Sequence, residues 1–220
     1  MVFSVSPIVL AVAAASSPQV ISRAYDYSPQ VKTNSVFGTT GLINVPTAFT
    51  TDRDAVAVGA NVDKDLRGLT ASWGLDGAFE VGAALLERDG LPDRVIAHAK
   101  LHLVPKDFDW FDLGVGVIDP FDALRTTLFA VASASVVPPR GGMNSAFAMR
   151  VHAGFGTGIY SSRLFLGGEV WFREQFSIIG EWDTRKFNAA FRWQQSSDFS
   201  AQAGIANKGV FLSATYVFRY

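Results

Sequence analysis

Apolar and polar residues alternate along most of the chain. Val56, Val58, Ala60 and Val62 share one phase, with Ala57, Gly59 and Asn61 on the other. Leu69, Ala71, Trp73 and Leu75 continue the pattern. Phe79, Val81, Ala83 and Leu85 oppose Glu80 and Gly82, and Val95, Ala97, Ala99 and Leu101 oppose His98, Lys100 and His102. Phe111, Leu113, Val115 and Val117 form a shorter run. The stretch Leu128 to Ala134 is blurred, because Phe129 and Val131 occupy the second face. Met149, Val151, Ala153 and Phe155 oppose Arg150, His152 and Gly154. In the last third, Leu164, Leu166, Val170 and Phe172 oppose Glu169 and Arg173, and Phe176, Ile178 and Trp182 oppose Glu181 and Asp183. Phe187, Phe191 and Trp193 oppose Arg192, then Phe199 to Ile205 and Val210 to Tyr220 alternate in turn. A period of two residues over segments of this length predicts β-strands, and no segment carries a helical period.

Turn residues fall between the runs. Asp76-Gly77 and Lys208-Gly209 stand where tight hairpins are needed, with glycine expected to supply the positive φ. Asp89-Gly90, Pro92, Pro105, Asp119-Pro120 and Pro138-Pro139 also sit between strands, where a missing N–H costs no ladder bond. The predicted fold class is all-β: one antiparallel transmembrane β-barrel of about twelve strands, within about ten to fourteen. The expected organisation is a signal peptide over 1–15, an N-terminal periplasmic or lumen segment over 16–53, and the barrel over 54–220.

Composition supports export and a membrane wall. The chain has 220 residues, 49% of them apolar, and a mean hydropathy of +0.20. No run of about 18 apolar residues accompanies that value, so a spanning helix is not the cause. The longest apolar stretch, Pro7 to Ala15, has the length of a signal-peptide core, with Ala13 and Ala15 as small-residue cleavage positions. No Lys or Arg precedes Arg23, so the usual positive start is missing. Alternation alone does not separate inside from outside: a soluble β-sandwich or a lipocalin-like barrel has the same period. Export, an aromatic C-terminal strand ending in Tyr216, Phe218 and Tyr220, and charge on the opposite phase favour lipid outside. Trp73, Phe111, Phe155, Phe172, Phe176, Trp182, Phe187, Trp193 and Phe199 are the remaining candidates for interfacial girdles.

The charges narrow the chemistry. Lys and Arg number 19 against 20 Asp and Glu, a balance that excludes a nucleic-acid footprint. With no cysteine, disulfides, zinc–thiolate sites and thiol nucleophiles are excluded. His98 and His102, four apart on a strand, are separated by about 13 Å, too far for one metal ion. His152 beside Arg150 could act as a base with a serine, but the sequence assigns it no partner. Asp107, Asp109 and Asp112 around Trp110 could attract a hard cation, and read better as a solvated turn. No catalytic residue, metal site or cofactor is expected. Glu80, His98, Lys100, His102, Arg150, His152, Glu169, Arg173, Glu181, Asp183, Arg192 and Arg219 share the polar phase. They are the candidate lumen network, either of paired charges or of glycan and ion contacts. Gly82, Gly114, Gly116, Gly154 and Gly167 on that face would leave room inside.

Two stretches carry a family resemblance. Phe37 to Ala48 reads FGTTGLINVPTA, followed by the glycine-bearing strand Ala57-Val58-Gly59. It resembles the opening of the YjbH-like outer-membrane barrel family, with its TGLI-x-x-PTA motif. Leu166 to Val170, Ile179 to Asp183, Phe187 to Trp193 and Tyr216 to Tyr220 are similar to that family's successive hairpins. The resemblance implies a non-enzymatic barrel in the bacterial outer membrane, supporting extracellular polysaccharide production, secretion or envelope structure. Expected partners are outer-membrane lipid, the barrel-assembly machinery through the C-terminal strand, and polysaccharide or periplasmic export proteins. A small passive channel for anions or sugars is the alternative, and an outer-membrane hydrolase a more distant one. With the N-terminus periplasmic, the outward loops fall near 63–66, 87–94, 118–124, 156–162, 183–186 and 207–209, all short. Only 16–53 is long enough to enter the lumen or reach a periplasmic partner.

Overall fold

The computed structural model describes residues 32–104, 110–137, 147–172 and 175–220. The expected signal peptide over 1–15, the remainder up to 31, Pro105, Asp107, Asp109, Pro138-Pro139 and Arg173 lie outside the described residues. Twelve antiparallel strands close into a barrel: β1 Ala55–Val62, β2 Leu66–Gly74, β3 Phe79–Arg88, β4 Arg94–Leu103, β5 Phe111–Ile118 and β6 Thr127–Val137, then β7 Phe147–Gly156, β8 Arg163–Phe172, β9 Phe176–Trp182, β10 Phe187–Gln194, β11 Phe199–Ala206 and β12 Gly209–Arg219. Each strand pairs with its neighbours in sequence, and β1 pairs with β12, where Ala55 meets Arg219 and Val62 meets Leu212. Closure leaves no free sheet edge, so the wall's backbone groups are paired from strand to strand around the barrel. One register shift, between Ser135 and Val137, interrupts the β6–β7 ladder.

The alternation sorts the side chains as its period requires. Leu69, Trp73, Val95, Leu128, Phe155, Leu164, Ile178, Phe187, Ile205, Val210 and Phe218 stand exposed on the outer wall. A wall that presents these to its surroundings is matched to hydrocarbon. Among the described residues no helix is long and apolar enough to cross a membrane. Aromatic rings cluster near strand ends on this outer face: Phe172, Phe176 and Phe191 in mutual contact, Trp193 against Phe199, and Tyr216 against Phe218.

Two sequence expectations need correction. At the β11–β12 hairpin the left-handed residues are Asn207 (φ 54°) and Lys208 (φ 69°), not Gly209. Glycine at 209 is required instead by proximity, because a Cβ there would lie 2.6 Å from the Lys64 Cβ. The inner face is also not uniformly polar. Towards the mouth formed by the β1–β2, β3–β4, β5–β6, β7–β8, β9–β10 and β11–β12 connections, Leu86, Ile96, Ile118, Phe129, Phe165, Ile179 and Phe211 point inward and are buried. Phe129 and Val131 blur the β6 pattern for this reason.

The inner glycines make room for those rings. A Cβ on Gly154 would stand 2.3 Å from the Phe165 ring and 2.5 Å from the Ala130 carbonyl oxygen, whereas one on Gly168 would meet nothing closer than 3.5 Å. Gly154→Ala is therefore expected to lower unfolding stability in urea by about 1–3 kcal/mol. Gly168→Ala should change it by less than about 0.5 kcal/mol.

Candidate functional site

The apolar inner residues are covered by the chain itself. Residues 32–51 run inside the barrel as a compact plug. Both its ends lie at the same mouth, the one at which β1 begins and β12 ends, where Lys32 pairs with Asp52 at 2.6 Å. Inside, tight turns fold the segment on itself: Gly38 N–H donates to Ser35 O, Val36 N–H to Ile43 O, and Leu42 N–H to Val45 O. Gly38 holds φ +93°, a conformation that glycine adopts without strain. Val36, Leu42, Ile43 and Val45 pack against Ile96, Ile118, Phe165, Ile179 and Phe211 of the wall. Gly167 and Gly114 sit opposite Leu42 and Ala48, so close that a Cβ would collide with the plug.

Polar side chains of the wall meet the plug's own backbone. Glu181 accepts from the N–H groups of Ile43 (3.0 Å), Asn44 (2.8 Å) and Val45 (3.2 Å), and from the Asn188 amide (3.0 Å). Asp183 accepts from the Asn44 and Asn188 side-chain amides. Glu80 accepts from Thr40 N–H (3.0 Å), Thr51 N–H (2.7 Å) and the hydroxyls of both threonines. Lys100 stands 3.4 Å from the same carboxylate and donates to Thr40 O at 2.8 Å, while His98 Nε2 lies 3.6 Å from Glu80. A third cluster holds the first leg: Arg192 pairs with Glu169 at 2.8 Å and donates to Thr33 Oγ1 at 2.9 Å. Arg150 approaches Glu169 at 3.7 Å and lies over the Phe49 ring. Asn34 donates to Ala57 O and accepts from Ser72.

Ser133, His152 and Glu169 also line up. The Ser133 hydroxyl bonds His152 Nδ1 at 2.7 Å, and His152 Nε2 stands 4.0 Å from Glu169. The serine partner that sequence could not assign to His152 is thus on the neighbouring strand. Ser133 and His152 are buried, and the hydroxyl accepts the Ala48 N–H at 2.9 Å. The arrangement clips the second leg of the plug to the wall.

Of the sequence candidates, Glu80, His98 and Lys100 form one cluster, and Arg150, His152, Glu169 and Arg192 another. Glu181 and Asp183 hold the plug's tip. His102 lies 3.1 Å from Asp112 and packs edge-on against the Phe49 ring, which also meets His152 and Arg150. Arg219 is not a lumen residue: at the end of β12 it lies on the rim, paired with Asp52 at 3.2 Å and with Asp198. Burial raises the Asp52 carboxyl, but Lys32 and then Arg219 outweigh it, and the group ends below its ordinary range. Its contribution to holding the rim is therefore present at neutral pH and is lost only as pH falls through that lowered value. At the other mouth, Tyr160 donates to Asn44 O at 2.8 Å. Burial first, then Glu181 and Asp183, push its phenol up, so it remains a donor. Among the described residues no group of three His, Asp or Glu side chains could hold a metal ion.

No protein-family model matches the chain, and no curated protein matches it. Two of the solved structures it resembles are porins. The KdgM porin aligns over 76% of this chain and 99% of its own, at 9% identity and a TM-score of 0.49. The NanC porin covers 76% of this chain and 98% of its own, at 11% identity and a TM-score of 0.42. The N-terminal β-barrel domain of Pseudomonas aeruginosa OprF covers 76% and 100%, at 13% identity and a TM-score of 0.27.

Thr33, Asn34, Thr40, Thr51, Ser133, Tyr160 and Asn188 escape the sequence reading, because each works through a partner far along the chain. The nearest signal is a run of small hydroxyl residues, Thr33 to Thr51, in a segment without strand period. Replacing Glu181 with Ala leaves three plug N–H groups without an acceptor, at about 1–3 kcal/mol for each group that water does not reach. Hydrogen exchange at Ile43, Asn44 and Val45 is expected to quicken by at least about tenfold, with the wall amides of β9 unchanged.

Proposed function

We propose that the protein is a non-enzymatic barrel of the bacterial outer membrane whose internal pathway is closed at rest by its own N-terminal segment. The observation that carries this reading is the plug, folded within the lumen and bound by Glu80, Glu181, Arg192 and Ser133. A small passive channel for anions or sugars remains the alternative reading; in it the plug's apolar tip, packed against Phe165 and Phe211, would have to leave a path or move aside. With the pathway closed at rest, solute passage requires withdrawal of the segment. The geometry suits withdrawal: both legs end at one mouth, so the plug can retract as a unit without unthreading a strand.

The full chain in planar bilayers should be silent or nearly so, whereas a variant lacking residues 32–51 should show steady conductance. Equal conductance of the two would contradict a resting plug. Failure of the shortened variant to show a heat-modifiable gel shift would instead point to a scaffold that needs its plug to fold.

A role in extracellular polysaccharide production or export is the cellular setting we assign, supported by the resemblance of Phe37 to Ala48. Those residues include most of the plug's contacts with the wall. A deletion strain is expected to alter its surface polysaccharide, and restoration should fail with Glu80→Ala/Glu181→Ala.

A further inference from the structure

The mouth opposite the rim clasp is a bowl of about 550 Å3. That is the size of an ordinary small-ligand site. Arg88 and Arg94, from the ends of β3 and β4, stand on one side of it, with Arg125 of the β5–β6 connection next to them. Arg185 and Lys186 of the β9–β10 turn close the far side. Among the described residues none of these five cations stands in an ion pair. Arg185 reaches the Ser161 hydroxyl, and Lys186 the Asn207 amide oxygen at 3.4 Å. The carboxylate in the lining, Asp183, makes no ion pair with them. Both its oxygens are taken, one by the Asn44 and Asn188 amides, the other by the N–H groups of Arg185 and Lys186.

Clustered like charges that make no direct ion pair repel one another, and a bound anion lowers that repulsion. The Arg125 loop is moreover held in place: Asp119 accepts the Ala123 and Arg125 N–H groups at 2.9 and 2.8 Å. The floor is different in character. Val36 and Phe37 of the plug, with Leu66 and Leu86 of the wall and Ile159 of the β7–β8 connection, give it an apolar surface. A ligand that fits both must carry several negative groups on an edge and C–H faces below.

We infer that this bowl binds an acidic oligosaccharide, with carboxylates held by Arg88, Arg94 and Arg125 and sugar-ring C–H faces on the plug's tip. Guanidinium forks match carboxylates in geometry as well as charge. A membrane lipid suits the site less well, because the cations ring the barrel axis above the plug, while acyl chains lie outside the wall. That the bowl faces outward follows from the outer-membrane orientation proposed above; the binding does not depend on it. Since Val36, Phe37 and Asn44 belong to the plug, an occupant rests directly on the segment that closes the pathway.

The test is calorimetry on the full chain in neutral detergent, with tetragalacturonate as ligand and maltotetraose as its uncharged counterpart. Tetragalacturonate is expected to bind and to weaken as salt rises from about 50 to 200 mM. The triple variant Arg88→Gln/Arg94→Gln/Arg125→Gln should bind it at least about tenfold more weakly, with an unchanged heat-modifiable gel shift to show that it folds. The single variant Arg125→Gln, outside the strands, should weaken binding in the same direction. No binding by the native chain, equal binding of maltotetraose, or unchanged binding by the triple variant would overturn the assignment. Binding confined to phosphatidylglycerol vesicles, with no response to the soluble sugar, would overturn it too and give the cations to the membrane surface. Because the readout is binding in detergent, its failure leaves the conductance result untouched, and the reverse also holds.

Discussion

A barrel of twelve strands is wider than its own inward side chains can fill, and that width governs the rest of the structure. Eight strands enclose a lumen that side chains alone can occupy; twelve leave an axial space for water or for more chain. Here the space is taken by residues 32–51. A polypeptide without regular secondary structure brings unpaired N–H and C=O groups into a confined site, and each would cost stability if left bare. The wall answers with buried acceptors and donors. Glu181 takes three consecutive N–H groups, Glu80 two more, Lys100 a carbonyl, and Ser133 the Ala48 N–H. The dependence runs both ways, since Glu80 and Glu181 are buried carboxylates whose hydrogen bonds come largely from the plug.

The two halves of the lumen divide the work. In the half near the start of β1 and the end of β12, charges pair across strands, Glu80 with Lys100 and Glu169 with Arg192, and their spare capacity goes to Thr33, Thr40 and Thr51. In the other half, Ile96, Ile118, Phe165, Ile179 and Phe211 offer an apolar socket to Leu42, Ile43 and Val45. Burial of these side chains draws the tip into place, and directional bonds then fix its rotation. Outside this core the mouths differ in pairing: Lys32, Asp52, Arg219 and Asp198 form ion pairs at one, while at the other Arg88, Arg94, Arg125, Arg185 and Lys186 line the bowl without them.

Much of the wall was legible from sequence, because a strand between lipid and lumen writes its orientation into every second residue. The twelve strands, the outward Leu69, Trp73 and Val210, and the inward Glu80, Lys100, Glu169, Glu181 and Arg192 all follow from that period. The plug was not legible in the same way. Residues 32–51 have no period, and their partners lie up to 159 positions away, as between Thr33 and Arg192. The apolar half of the lumen was hidden for a related reason. Where both faces of a strand are apolar, as around Phe129 and Val131, alternation fades and reads as noise. Gly114 and Gly167 were visible as small residues on the inner face, but only the fold shows that Ala48 and Leu42 fill the space they leave. Arg219, polar in phase, falls at a strand end, where phase no longer separates lumen from rim.

The central claim is that the segment occupies the lumen in the native membrane, and the absence of cysteine permits a direct test. In Leu42→Cys/Gly167→Cys, the new thiols stand on plug and wall, where the Leu42 Cδ1 now lies 2.4 Å from the place of a Cβ on residue 167. Ala83→Cys/Ala97→Cys, across the β3–β4 ladder, is the control pair within the wall. Cross-linking in intact cells, read as a gel shift that reductant reverses, should appear for both pairs. A disulfide in the control pair with none between residues 42 and 167 would contradict the account.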